Sequence, residues 1–235
     1  DEMDIVILGG GPGGYTSAIR AAQLGANVRI IEMEDIGGTC LNKGCIPTKV
    51  LLHTTEIYSS LKEEGEELGL SLGQVDINWG KIQERKGLAV SQLVEGVKQI
   101  LESHKIETIN GVGRFVSKDK IEVEKEDGHK EIINFDKVII ATGSKPIIIP
   151  IPGKDLEGVI TSREALDLEE IPESITIIGG GVIGVEFANI FSNLGCKVTI
   201  VEMLPDLLAN MDKDIVEHLE NTLEGRGVGI YKNAR

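Results

Sequence analysis

The sequence predicts an α/β protein made of two Rossmann-like dinucleotide-binding domains of three-layer ββα form, the second incomplete. Two observations carry that prediction. A short apolar run, Asp4-Ile5-Val6-Ile7-Leu8, opens directly into Gly9-Gly10-Gly11-Pro12-Gly13-Gly14, which holds the G-x-G-x-x-G spacing at Gly9, Gly11 and Gly14. The same unit then returns 170 residues later without a gap, as Gly179-Gly180-Gly181-Val182-Ile183-Gly184.

Each element of the first unit has a physical reason. The apolar run reads as a buried parallel strand, and the alanine-rich stretch up to Leu24 as a helix stopped by Gly25. Residues 28–31 form a second strand ending at Glu32-Met33. Glycines at the strand–helix turn let the backbone approach a pyrophosphate at the helix N-terminus, and an acidic side chain at the end of the second strand accepts ribose hydroxyls. In the repeat, Gly25 is matched by Gly195, Val28 by Val198, and Glu32-Met33 by Glu202-Met203. Two intact fingerprints point to two bound dinucleotides. A carboxylate at Glu202 hydrogen-bonds a free 2′-hydroxyl and repels a 2′-phosphate, so the second site is expected to prefer NAD over NADP.

Between the fingerprints the chain changes character. Residues 46–61 read as one helix, residues 62–71 as an acidic, exposed connection, and residues 79–102 as a second long helix with apolar side chains at helical spacing. Residues 106–135 alternate in short runs broken by glycines, with a turn at Asp127-Gly128, and predict strands. Val138-Ile139-Ile140 is another buried strand, leading to Ala141-Thr142-Gly143-Ser144. Pro146, Pro150, Pro152 and Gly153 place the expected domain boundary at 145/146, giving domains 1–145 and 146–235. The second unit continues with a helix over 213–223 and a short strand, Gly229-Ile230-Tyr231.

Bulk properties exclude several functions. The 235 residues carry a net charge of −14, with acidic residues spread along the chain, which argues against nucleic acid or an anionic membrane surface as partner. No apolar run approaches the roughly 20 residues of a membrane span. Three cysteines are too few for a disulfide scaffold and suit a reducing compartment, so a cytoplasmic protein is expected.

Two of those cysteines, Cys40 and Cys45, lie in Gly37-Gly38-Thr39-Cys40-Leu41-Asn42-Lys43-Gly44-Cys45-Ile46-Pro47-Thr48-Lys49. On one regular helix, positions i and i+5 lie roughly 140° apart, too divergent for a disulfide. The pair can meet if Cys40 sits in an irregular turn and Cys45 in the first turn of the following helix, where the N-terminus favours thiolate. Cys196 and His53 do not complete a metal set, so no metal site is expected. Cys196 reads as a packed core residue, and His53, His104, His129 and His218 as surface or packing residues.

The string from Gly37 to Lys49 resembles the active-site helix of the flavoprotein disulfide reductases, and within them the dihydrolipoamide dehydrogenases; the likeness extends over essentially all 235 residues. The resemblance implies FAD on the first fingerprint, with Gly9, Gly11, Pro12, Gly13 and Gly14 on its pyrophosphate and Glu32 and Met33 at its ribose. Gly38, Thr39 and Cys40 would pass along the flavin, Gly113 would lie near the adenine, and Ala141, Thr142, Gly143 and Ser144 would close over the cofactor. Gly179, Gly180, Gly181, Val182, Ile183, Gly184 and Glu202 would bind NAD. Cys45 would be the thiol facing the flavin and Cys40 the thiol exchanging with substrate. Lys49 would sit by the flavin's reactive nitrogen, paired with Glu186.

The implied reaction passes electrons from dihydrolipoamide through a Cys40–Cys45 disulfide and FAD to NAD⁺. The implied partners are a small-molecule or lipoyl-domain dithiol, a 2-oxo acid dehydrogenase or glycine cleavage complex, and a second copy in a homodimer. The family's C-terminal His-x-x-x-x-Glu segment, second FAD stretch and dimerisation domain have no counterpart in this sequence, so a chain lacking its C-terminal part is expected. Lys43 stands where many relatives carry a small apolar residue. Competing readings are a reductase of glutathione, mercuric ion or coenzyme A disulfide, and a non-catalytic flavin-binding module.

Overall fold

The computed structural model describes residues 2–71 and 73–234. In chain order the elements are β1 (Asp4–Leu8), α1 (Pro12–Gln23), β2 (Asn27–Glu32), α2 (Gly38–Lys43), α3 (Cys45–Glu63), α4 (Trp79–Ser103), β3 (Glu107–Asn110), β4 (Val112–Ser117), β5 (Lys120–Glu124), β6 (Lys130–Asn134), β7 (Lys137–Ile140), α5 (Ser162–Leu166), β8 (Ser174–Ile178), α6 (Val182–Asn193), β9 (Lys197–Val201), α7 (Lys213–Gly225) and β10 (Gly229–Tyr231). They fall into two compact units, residues 1–47 with 87–163 and residues 48–86 with 164–235.

The first unit has the three layers expected of it. A parallel sheet of order β3-β2-β1-β7 lies in the middle, and the antiparallel meander β4-β5-β6 forms a second sheet. The period-two alternation of a strand divides the central residues between two cores. Ile7, Val28 and Ile30 pack with Ala18 of α1 and Leu101 of α4. Val6, Leu8, Ile31 and Ile109 pack with Ile121, Val123 and Ile133 of the meander. A sheet covered on both faces needs apolar side chains on both sides of a central strand, which is why β1 reads as a continuous apolar run from Ile5 to Leu8.

The second unit carries a three-stranded parallel sheet of order β10-β9-β8. Its core is formed by Phe187, Ile190 and Phe191 of α6, Val198 and Ile200 of β9, and Leu223 of α7. Leu51 of α3 and Trp79 of α4 join that core, and the Trp79 indole N–H donates to the Leu168 carbonyl at 2.8 Å. Lys86 is buried, its ammonium donating to the Leu166 carbonyl at 2.5 Å and to Asp167 at 2.6 Å. Burying a cation is tolerated because both partners are in place.

This division differs from the sequential boundary expected at 145/146. Leu51, Leu52, Ile77, Trp79 and Ile82 pack with α6 and β9, so residues 48–86 group with the second unit. The proline-rich stretch groups with the first unit and leaves Ile147, Ile148 and Ile149 exposed.

Candidate functional site

Two cradles of the same construction occur, one in each unit. In the first, Gly9 follows β1 with φ +101°, Gly11 caps α1, and Pro12, Gly13 and Gly14 make the helix's first turn. Proline is at ease there because its missing N–H would have no intrahelical partner. No side chain caps the helix and its first turn holds no acidic residue, which leaves the positive end of a 12-residue helix to an external anion. Glu32 folds back over the loop: one carboxylate oxygen accepts the Gly10 N–H at 2.6 Å and the other the Glu34 N–H at 2.7 Å. Ala141 follows β7 and pairs its N–H with the Leu8 carbonyl at 2.8 Å, while Thr142, Gly143, Ser144 and Met33 are exposed. Gly113, in β4, serves packing: a Cβ there would come within 2.7 Å of Leu8 and 3.4 Å of Ile31.

The cysteine segment is anchored on this cradle. A Cβ on Gly38 would lie 2.6 Å from the Gly11 Cα, so the two glycines let α2 begin against the start of α1. Cys40 lies inside α2, in a helical turn and not in the irregular turn expected, and Gly44 (φ −151°, ψ −113°) breaks the path before Cys45 opens α3. Cys40 is half-buried and Cys45 exposed. Asn42 donates to the carbonyls of Ile36 (3.1 Å) and Gly38 (3.0 Å), closing the approach loop on itself.

Lys43 acquires a partner that the sequence did not supply. Its ammonium lies 3.2 Å from Glu34, which also has Arg163 at 3.6 Å. The hydrogen bond and charge of Lys43, with help from Arg163, hold the Glu34 carboxyl below the ordinary carboxylate range. Tyr15, half-buried in the first turn of α1, is the other side chain that sequence reasoning missed. Burial, then the charges of Cys40 and Cys45, push its phenol above the usual value. Tyr15 directly follows the glycine run, the one sequence signal that could have drawn attention to it.

The second cradle repeats the first. Gly179 has φ +110°, Gly181 caps α6 without a side-chain cap, and Val182 and Ile183 are exposed in its first turn, followed by Gly184. Glu202 accepts the Gly180 N–H at 2.6 Å and the Leu204 N–H at 2.7 Å. In the same unit the Lys49 ammonium donates to Glu186, which is half-buried on α6. Lys49 stands one helical turn after Cys45 on α3. Cys196 is buried in the core of this unit, where burial raises its thiol. His53, His129 and His218 are exposed, but His104 is half-buried, its ring 2.9 Å from the Ile100 carbonyl at the end of α4. Among the described residues, no group of acidic, histidine or cysteine side chains is placed to hold a metal, and no helix is long and apolar enough to cross a membrane.

Two glycine cradles of the same construction, with a cysteine segment anchored on the first, are the features compared with known proteins. The chain belongs to the pyridine nucleotide-disulphide oxidoreductase family, whose model matches residues 3–235. It is 43% identical over 235 residues to a dihydrolipoyl dehydrogenase of Bacillus subtilis, covering 99% of this chain and 51% of that protein. A dihydrolipoyl dehydrogenase of Acholeplasma laidlawii is 43% identical over 238 residues, covering 99% of this chain and 69% of the other. The solved structure of LpdA from Mycobacterium tuberculosis superposes with a TM-score of 0.89 at 30% identity, over 99% of this chain and 52% of LpdA. The chain thus spans about half the length of the Bacillus protein.

Proposed function

We propose that the protein works as an NAD-dependent dihydrolipoyl dehydrogenase, taking an electron pair from a dithiol of the dihydrolipoamide class into the Cys40–Cys45 pair and on to NAD⁺. The observation that supports this most is the Gly11–Gly38 approach, which sets the cysteine segment against the first cradle. The donor set fits a dinucleotide in each unit: an uncapped helix start suits a pyrophosphate, and a carboxylate already fixed by two backbone N–H groups is pre-oriented for ribose hydroxyls.

On this reading Gly9 to Gly14, Glu32 and Ala141 to Ser144 hold FAD, while Gly179 to Gly184 and Glu202 hold NAD. FAD, when bound, supplies a two-electron carrier between the thiols and the nicotinamide. Cys40 exchanges with the substrate dithiol, and Cys45 faces the flavin at the start of α3. Lys49, held by Glu186, places a cation one turn further along the same helix, where it stabilises negative charge. Glu202 selects NAD by repelling a 2′-phosphate. A lipoyl-bearing protein of a 2-oxo acid dehydrogenase or glycine cleavage complex is the natural dithiol donor, and the working form is a cytoplasmic homodimer.

The test is a visible spectrum of the natural full-length protein before and after anaerobic NADH. The proposal requires a flavin band that bleaches and gives way to a long-wavelength thiolate-to-flavin band, lost in Cys45→Ser. A flavin that NADH reduces without that band would count against a redox-active pair.

A further inference from the structure

The two cradles differ at one residue that binding a nucleotide does not explain. In each, the glutamate after the second strand is fixed by two backbone N–H groups, one from the glycine loop and one from the residue two places on. That residue is Glu34 in the first cradle and Leu204 in the second. Leu204 is exposed and brings no charge. The Glu34 carboxylate instead accepts from the Lys43 ammonium at 3.2 Å, and its other oxygen lies 3.6 Å from the Arg163 guanidinium. Lys43 is the last residue of α2, three places after Cys40 and two before Cys45. Glu34 thus holds Glu32 through its backbone and the end of the cysteine segment's first helix through its side chain. The stretch between them needs such a tie, because Gly37 and Gly38 both take positive φ, +103° and +58°, and glycines confine a backbone weakly. Inside the loop, Gly37 donates to the Gly10 carbonyl at 2.8 Å and Gly38 to that of Asp35 at 3.1 Å. The Glu34–Lys43 pair closes the same loop from outside.

We propose that Glu34 and Lys43 are positioning residues that couple the first cradle to the cysteine segment. Held by Lys43, Glu34 keeps its N–H on the Glu32 carboxylate, which stays oriented for ribose hydroxyls. Held by Glu34, Lys43 fixes the end of α2, and with it the break at Gly44 from which Cys45 opens α3. This deepens the reading above and rests on it, with FAD in the first cradle and Cys45 facing the flavin. The cofactor and the thiols then share one anchor, so a change at Lys43 is felt at the ribose and a change at Glu34 at Cys45. The Glu34 carboxyl, held below its ordinary range, agrees with a pair that is formed at neutral pH. Both side chains are largely solvated, so the pair works by limiting the loop's freedom and its effect is a few-fold one.

The experiment uses the natural full-length, flavin-loaded protein with Glu34→Leu, which copies the repeat, Lys43→Met, the two combined, and Lys43→Arg as the conservative control. FAD release after dilution is followed by flavin fluorescence. The long-wavelength thiolate-to-flavin absorbance per bound flavin is read after reduction with dithiothreitol. Each of the first two variants releases FAD about threefold faster and loses part of that band. The combined variant goes no further than the single ones, and Lys43→Arg behaves as the unmodified protein does. Glu34→Gln, which keeps the side chain's size, takes the place of Glu34→Leu if the latter folds poorly. The proposal is overturned if Lys43→Met leaves either readout unchanged, if the single effects multiply in the combined variant, or if Lys43→Arg fails like Lys43→Met. The reading it rests on is judged on the unmodified protein alone, and fails if that protein shows no such band, whatever the variants do to FAD release.

Discussion

Gly9 and Gly179 occupy the same place in two copies of one turn, with φ +101° and +110°, yet among the described residues only the first is walled in. A Cβ on Gly9 would lie 2.2 Å from the Ala141 carbonyl oxygen, whereas a Cβ on Gly179 would meet nothing within 4 Å. The difference comes from one strand. In the first unit β7 pairs with β1 and carries Ala141 over the turn; in the second, β8 pairs only with β9 among the described residues. Among the described residues, the same local sequence therefore has a following segment over its turn in the first unit and none in the second. What closes it is a segment more than 100 residues away in the chain.

That contrast predicts the largest effect. Gly9→Ala adds backbone overlap with Ala141 to the roughly 1–2 kcal/mol that a left-handed φ costs an L-residue, for a total of about 3–4 kcal/mol. Gly179→Ala, as far as the described residues reach, adds no such overlap and incurs the conformational part. Denaturant unfolding of the two variants, with flavin content measured alongside, checks the order; equal losses would mean that Ala141 does not close the first turn.

A second pair of positions sharpens the comparison from the other side. Gly37 (φ +103°) donates its N–H to the Gly10 carbonyl at 2.8 Å, and Leu208 (φ +45°) donates to the Gly180 carbonyl at 2.9 Å, so the second unit holds a leucine where the first has a glycine. A Cβ on Gly37 would lie 2.8 Å from Leu41, and Gly37→Ala is expected to destabilise by about 2 kcal/mol. Leu208→Gly relieves backbone strain but removes a side chain packed on the core of its unit, so its net effect stays within about 1 kcal/mol of zero. Thermal unfolding of both variants reads the difference.

The smallest expected effect lies beside the cysteine segment, at Glu34. Glu34 pairs with Lys43 and Arg163, and its folded-state pKa is depressed, first by Lys43. A carboxyl shifted that way contributes stability that is complete above its ordinary range and is lost as pH falls through the lower folded value. The pair is largely solvated, so the contribution is small. Glu34→Gln should match the parent protein's stability at low pH and fall slightly below it at neutral pH. A difference that grows on acidification would contradict this.

Much of the architecture was legible because it is local. Apolar runs, the glycine spacing and the Asp127-Gly128 turn announced most strands and the longer helices of both units, whereas α2 and α5 were not expected. The grouping of residues 48–86 with the second unit was not legible, since nothing in the helical pattern of Leu51, Trp79 and Ile82 says which core they enter. The site divides in the same way. The glycine cradles and both glutamates are encoded by spacing, and the cysteine segment is encoded by its own motif. The Glu34–Lys43 pair depends on how the segment from residue 34 to 43 turns back on itself, and the Gly11–Gly38 contact on two distant loops meeting, neither of which spacing alone reveals.

On the proposed reading, two cradles of like geometry hold different nucleotides, FAD in the first and NAD in the second. The direct test is to measure flavin content and the rate of flavin reduction by NADH in Glu32→Ala and Glu202→Ala of the full-length protein, with dithionite as a control reductant. The account predicts that Glu32→Ala loses flavin. Glu202→Ala should keep its flavin and its reduction by dithionite, while the NADH it requires rises about tenfold or more. Flavin loss from Glu202→Ala, or impaired use of NADH by a Glu32→Ala protein that keeps its flavin, would contradict it.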